Sequence, residues 1–557
     1  NIAIGMNAYN SSDTENDNLA IGYDAMTANT AGGEENVAIG TYSMDATTSG
    51  SANVAVGMSS LSANTTGSSN TALGRYAMIT NTTGASNVAV GRTAMQANTT
   101  GANNTAVGRD ALNANTTGAE AVAVGYQSLM SNTTGANNVG IGYRALYQNT
   151  TAGNNIAVGF EALTTNVTGT ANVGVGFQAL KVNLASNNTA IGDQSMEANT
   201  TGSNNTAVGS LTLDANTTGG ANVAIGHVAL GTNTTGANNV AIGQSALQDN
   251  TDGEMNTAIG YECLKANTTA DNNVGIGTYA LRVNTTGTRN IAIGKSAYDA
   301  SDTENDNLAI GYEAMTTNTA GGTKNIALGN YALDALTSGD DNIAVGHDAL
   351  GANNSGVANV AVGRAALILN TTGDSNVAIG AYALDANTTG HDNVAVGRHA
   401  GGGSQTTTGN TAIGHETLKV SVGANNTAIG FKALLDNSTA ANNTAVGSQA
   451  LLTNTTGTRN VAVGKSALLT NSTTSDLTAV GYDALKLSTD GQNSAFGSYA
   501  MATSSTGAGN VAMGYKSMQD NTTGNHNTAL GYQSLQANTT GARNIAIGHL
   551  AYDASDT

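Results

Sequence analysis

Residues 98–114 read NTTGANNTAVGRDALNA, and the same seventeen-residue phrase, varied but in register, fills the chain from end to end. Its fixed point is Gly108. Equivalent glycines stand at Gly5, Gly22, Gly40 and onward to Gly548, 33 in all, with two steps of 18 residues, three of 16 and the rest of 17. A period of this size running through 557 residues marks a solenoid or fibre, whose function resides in an extended surface rather than a pocket.

Counting positions from that glycine, −1 is always large and apolar, as in Val107, Ile225, Ile310 and Phe496, and −3 is β-branched, aliphatic or Ser/Thr, as in Thr105, Val240 and Ile326. Alternation of this kind predicts a short strand with those two side chains in a core. Position −2 holds only Ala or Gly, as in Ala106, Ala224, Gly140 and Gly275. Permanent smallness there predicts close packing on the second face as well. Beyond the glycine, +3 is Ala, Ser, Thr or Cys and +4 is Leu, Met or Tyr, which predicts a second strand. The exception at +4 is Gly401, so residues 399–409 are expected to be underpacked, a kink or mobile spot.

Asn occupies −4 in 31 of the 33 repeats, with Ala121 and Leu477 as the exceptions. Coils stacked about 4.8 Å apart place such amides over one another, which predicts a hydrogen-bonded Asn ladder. In the NTTG connection, Asn and Gly tolerate left-handed dihedrals and the threonines can bond turn backbone. The same Asn-Thr-Thr triplets match the N-glycosylation acceptor pattern; the turn reading is preferred. Position +1 varies freely (Arg109, Tyr126, Tyr143, Phe177, His227, Lys295, Arg364, His415) and is expected to be exposed. Eight of the 18 tyrosines fall there; they read as a tolerant rim or as an aromatic stripe facing glycans, a neighbouring fibre or a host surface.

Composition narrows the function classes. Proline and tryptophan are absent and 10% of residues are charged, yet the apolar register excludes disorder. A net charge of −19 argues against nucleic acid and anionic membrane as partners, and no apolar run is long enough to insert in a membrane. Unbroken periodicity predicts one continuous rod over residues 1–557, about 160 Å long at about 4.8 Å per coil. Three buried apolar side chains per coil are too few to offset the ordering of seventeen residues, which predicts packing against other chains. The phrase of residues 1–33 returns from Asn290, and its beginning again from Asn544, giving super-repeat copies 1–289 and 290–543 and the start of a third. Opening and closing inside a repeat predict an internal piece of a longer fibre.

Little in the chain suggests chemistry. Within SDTENDN (301–307), Asp302, Glu304 and Asp306 alternate as calcium ligands do, without the glycine and distal bidentate Glu of an EF-hand; a solvated acidic turn is the preferred reading. Cys263 fills a slot that otherwise holds Ala, Ser or Thr and reads as a small buried residue. The histidines (His227, His347, His391, His399, His415, His526, His549) make no metal spacing, and no nucleophile elbow or phosphate loop is present. No catalytic, cofactor-binding or metal-ligating residue is assigned, and the chain is not expected to be an enzyme.

The recurring phrases NVAIGYxAL and NTAVGxxAL resemble the head repeats of trimeric autotransporter adhesins, and resemble still more the NTAIGYQAL…NTTG arrays of bacteriophage tail fibres. The resemblance covers all 557 residues, although adhesin heads usually repeat near 14. It implies an all-β fold, a left-handed parallel β-solenoid or β-roll of about 33 coils, with three chains around one axis meeting through the Ala/Gly face. The function it implies is an extracellular fibre shaft at a cell surface or on a virion, projecting a tip for host glycans or protein. The alternatives are a monomeric solenoid binding ice or polysaccharide through Thr rows, and a self-assembling surface filament.

Overall fold

The computed structural model describes residues 1–10 and 16–552. Among them the only regular elements are 33 three-residue strands, from β1 (Ile2–Ile4) to β33 (Ile545–Ile547), one per repeat, at positions −3 to −1. The chain is thus an all-β parallel β-solenoid with a period of about 17 residues, arranged in two compact units: Asn1–Thr278, which holds β1 to β17 (Val274–Ile276), and the part from Tyr279, which opens with β18 (Ile291–Ile293). Within each unit successive strands pair parallel and in register, as in Thr105 with Val122, Ala106 with Ala123 and Val107 with Val124.

Each strand stops after three residues at a glycine whose positive φ takes the backbone out of the strand and which has no room for a side chain. Gly108 sits at φ +138°, and a Cβ there would lie 2.4 Å from the Gly125 carbonyl oxygen of the next coil. The invariant glycine is therefore fixed twice, by dihedral and by contact between coils.

The expected second strand is absent. Positions +1 to +6 form a run of turns in which +2 and +4 are left-handed, for example Asp110 at φ 58° and Leu112 at φ 52°. Such dihedrals cost a non-glycine residue about 1–2 kcal/mol. Hydrogen bonds to both neighbours offset this: the Asp110 N–H donates to Arg92 O of the preceding coil (3.1 Å), and the Leu112 N–H donates to Ser128 O of the following one (2.9 Å). Coils are thus tied together outside the strands as well as through them.

The strand alternation is present, but its polarity is the reverse of the expectation. The Ala at −2 faces the interior and is fully buried, as are Ala111 at +3 and Leu112 at +4, whereas Val107 and Ile225 at −1 face outward and are 36% and 38% exposed. Each strand faces the turn segment of the preceding coil, and at −2 the space between them admits little more than a methyl group. Gly140 shows the limit: a Cβ there would meet Ser128 Oγ at 2.6 Å and Leu129 Cγ at 3.2 Å. At Gly275 it would meet Cys263 Sγ at 2.5 Å, so the larger residue of the preceding coil is matched by a smaller one here.

Two columns of buried asparagine run beside this core. At −4, the Asn104 backbone N–H and Nδ2 both donate to Asn87 Oδ1 (2.9 and 3.1 Å). The expected ladder is therefore present, and Ala121 interrupts it by offering no amide oxygen to the next coil. The second column stands at +7, the Asn of NTTG, where Asn115 Nδ2 donates to Asn98 Oδ1 (2.8 Å). Both columns converge on one carbonyl: Asn104 Nδ2 and Asn115 Nδ2 each donate to Gly118 O at 2.9 Å. Gly118 owes its identity to this crowding rather than to a left-handed dihedral, since a Cβ would lie 2.4 Å from Asn115 Oδ1. The threonine that follows bonds turn backbone as expected, Thr116 Oγ1 donating to Thr133 O at 3.0 Å.

Gly401 leaves the backbone path intact. It keeps the left-handed dihedral of its row (φ 63°), and its N–H donates to Thr417 O at 2.8 Å. The discontinuity near it lies in the +7 column, where Ser404 replaces Asn and neither Ser404 Oγ nor Asn387 Oδ1 has a protein partner.

Candidate functional site: outward apolar rows and aromatic columns

Because −2 points inward, −3 and −1 form two outward rows on the strand face. Ile141, Ile191, Ile259, Ile276, Ile379 and Ile413 are among the −1 side chains more than a third exposed. Row −3 mixes Val and Ile with Thr, as in Val223, Val240 and Thr257 of successive coils, and is half-buried. Within the first unit, seventeen strands carry these rows; at about 4.8 Å between strands and about 7 Å between alternate residues, they cover a strip about 80 Å long. Soluble monomers rarely expose a contiguous apolar patch of such extent. The Ala/Gly face, expected to be where chains meet, is buried inside its own chain and offers nothing to a second one.

Along +1 the in-register coils bring aromatic rings into columns. Tyr126, Tyr143, Phe160 and Phe177 stack in four successive coils with centroids 5.6, 4.9 and 5.3 Å apart and planes within 23°. Arg109 lies over Tyr126 at 5.5 Å, and Arg144 lies against Tyr143 at 5.2 Å. In the second unit Tyr482, Tyr515, Tyr532 and His549 at +1, with Tyr499 of the intervening coil entering from +2, form a column with successive centroids 5.2, 6.1, 5.4 and 5.1 Å apart. Tyr499 is pushed above the usual phenol range, first by desolvation and then by the neighbouring Tyr482 and Asp483. The rings from Tyr126 to Phe177 and from Tyr515 to His549 cover one another's faces, so a sugar that stacks on an aromatic face finds none free inside those runs, whereas Tyr499 meets its neighbours edge to face.

The acidic segment does not converge. Glu304 is buried at 2% exposure, its Oε2 accepting from the Asp302 and Thr303 N–H groups (3.0 and 3.1 Å) and its Oε1 from the Gly321 N–H (3.0 Å). Asp306 is held by Arg289 in a bidentate pair (2.6 and 2.9 Å), which keeps its carboxyl below the usual carboxylate range, and Asp302 accepts from the Thr285 hydroxyl. Each carboxylate is thus committed to a separate partner. The related segment at residues 12–18 falls largely outside the described residues. Cys263 is fully buried, and burial pushes its thiol up to about 12, so it is a packing residue rather than a nucleophile. The histidines stay apart: His347 lies 2.7 Å from Asp348, and His399 stacks on Tyr382 at 5.1 Å. Among the described residues no three His, Cys, Asp or Glu side chains are grouped to hold a metal ion, and no helix is long and apolar enough to cross a membrane.

No protein-family model and no curated protein sequence matches the chain. The outward rows escaped sequence reasoning because alternation fixes which residues share a face and leaves open which face is inside. The signal available was the invariance of −2 itself, since only an interior position tolerates no larger residue in 33 repeats.

Proposed function

We propose that the chain is a shaft segment of an extracellular fibre, a homotrimer whose chains pack through the outward rows at −3 and −1 and which carries a receptor-binding tip away from a cell or virion surface. The observation that supports this reading is the pair of exposed apolar rows on a face whose backbone is already fully paired. Burial of that face between copies needs no new backbone hydrogen bond, only removal of Val, Ile and Leu side chains from water. The task of such a shaft is mechanical, and stacked hydrogen-bonded coils suit it by resisting local opening and proteolysis.

The alternative, a monomer that binds ice or polysaccharide through Thr rows, is weakened by the +8 hydroxyls, which donate to the next coil, as Thr99 does to Thr116 O at 2.9 Å. Light scattering decides between the two. A native mass of three chains is expected, falling to one chain when Ile225, Ile242 and Ile259 are replaced together by Asp. A folded wild-type monomer that stays soluble at high concentration would overturn the trimeric reading.

A further inference from the structure

The solenoid repeat places like side chains over one another, and at two points it stacks tyrosine on tyrosine with nearly parallel rings: Tyr126 on Tyr143 (5.6 Å, 23°) and Tyr515 on Tyr532 (5.4 Å, 21°). Three of these rings are 37–45% exposed, open to a diffusing oxidant, and Tyr126 is half-buried. We propose that these two pairs are sites of oxidative dityrosine coupling, a carbon–carbon cross-link between adjacent coils of one chain formed by hydrogen peroxide and a peroxidase.

The chemistry balances within the pair. Each phenol gives up one electron and one proton, and the two phenoxyl radicals join at the carbons ortho to oxygen. The hydrogens on those carbons then shift to the oxygens and restore two phenols. Hydrogen peroxide takes the two electrons and two protons and leaves as two waters. Register favours the step because both rings of each pair come from the same +1 position of adjacent coils and lie nearly parallel, which holds the two phenols side by side. The edge-to-face pairs Tyr23–Tyr42 (88°) and Tyr499–Tyr515 (90°) lack this alignment although their centroids are 5.6 and 6.1 Å apart. Phe160, stacked on Tyr143 at 4.9 Å, has no phenol and ends the reactive run in the first unit. Such a link would join coils that otherwise hold one another only through hydrogen bonds and packing. It depends on the stacking within one chain and not on how many chains assemble.

The test treats the folded protein with hydrogen peroxide and peroxidase, follows dityrosine fluorescence and maps the linked peptides by mass spectrometry. The expected result is loss of two hydrogens per link, with 126–143 and 515–532 the first pairs recovered, several-fold ahead of 23–42 and 499–515. Tyr532→Phe should abolish the 515–532 link and leave 126–143 unchanged, and unfolding in denaturant before oxidation should erase the preference. Tyr76 and Tyr147, which lie against Arg75 and Arg144, serve as reference phenols. Coupling of Tyr76 or Tyr147 as fast as the stacked pairs, or links found only between separate chains on a denaturing gel, would overturn the proposal.

Discussion

The +7 asparagine column is continuous in one region of the molecule and broken in another. From Asn64 to Asn267, thirteen asparagines stand in successive coils; Asn81, Asn98, Asn115 and Asn132 show the pattern, each donating from Nδ2 to the preceding Oδ1 at 2.7–2.9 Å. Between residues 301 and 504 the same column is cut by Ser301, Leu336, Ser404, Ser421, Ser488 and Ser504. The breaks leave chemical marks: Asn318 Oδ1, ahead of Leu336, and Asn387 Oδ1, ahead of Ser404, are buried with no protein donor, as are Ser404 Oγ and Ser504 Oγ. Strand pairing is nevertheless as regular in this region, Val394 pairing with Thr411 and Thr411 with Thr427 across the Ser404 coil. The backbone ladder therefore sets the fold, and the amide column adds local stability on top of it.

If so, truncation to Ala at +7 should have very unequal consequences in the two regions. Asn132→Ala, inside the continuous column, deprives Asn115 Oδ1 of its donor and Asn149 Nδ2 of one of its two acceptors. It is expected to cost on the order of 2–4 kcal/mol, read as faster amide hydrogen exchange across residues 115–149. Ser404→Ala should stay within about 0.5 kcal/mol, because the hydroxyl it removes makes no bond. Equal losses at both sites would refute the comparison.

Mending a break is the converse and gives a smaller effect. Ser404→Asn supplies a donor to Asn387 Oδ1 and should add about 1 kcal/mol of local stability, seen as slower exchange in residues 384–407. Ala121→Asn should do the same for the −4 column and should leave the +7 column untouched. A gain at neither site would mean that Asn387 Oδ1, and the coil that follows Ala121, are satisfied in some other way.

The smallest effect is electrostatic. Asp334, at +5 in the interrupted region, has its carboxyl raised above the usual range, chiefly by desolvation, with Asp348 adding to it. A raised acid binds its proton more tightly in the folded coil than in the unfolded chain. Stability from this group is therefore greatest below the unfolded carboxylate range and declines as pH rises through the folded value. Asp334→Asn should remove that decline, leaving a flatter profile of urea midpoint as pH rises from the ordinary carboxylate range upward. An unchanged profile would assign the pH dependence to other groups.

The Asn-Thr-Thr triplets match a glycosylation signal by sequence, yet Asn115 is fully buried and its Nδ2, the atom that would carry the sugar, donates two hydrogen bonds. Treatment of the folded protein with oligosaccharyltransferase and a lipid-linked donor should leave Asn115 unmodified, while the unfolded chain should accept glycan. Modification of Asn115 in folded protein would show that the column opens readily.

Much of the architecture was legible in the repeat. Constant spacing of Gly108 and its equivalents gives the coil, constant Asn at −4 gives a ladder, and the variable +1 gives a rim, because each follows from superposition of identical residues in stacked coils. The interior was less legible. A helix or sheet of ordinary size tells inside from outside by polarity, but here the strand gives the narrow interior only Ala or Gly, the +4 Leu or Met and the Asn columns fill the rest, and Val and Ile face out. The turn run after the glycine was hidden for a similar reason: Leu112 has no propensity for φ 52°, and that dihedral exists because it aims the Leu112 N–H at the following coil.

The sequence alone thus determined a parallel solenoid with one coil per repeat, since only in-register stacking of coils makes a seventeen-residue period in Gly, Asn and small residues physically necessary. Tertiary structure decided which face of each strand is inside, which residues turn left-handed and which amides and rings meet. Those outcomes depend on the width of the space between a strand and the turn segment it packs on, a distance set by closing the coil and encoded in no single residue.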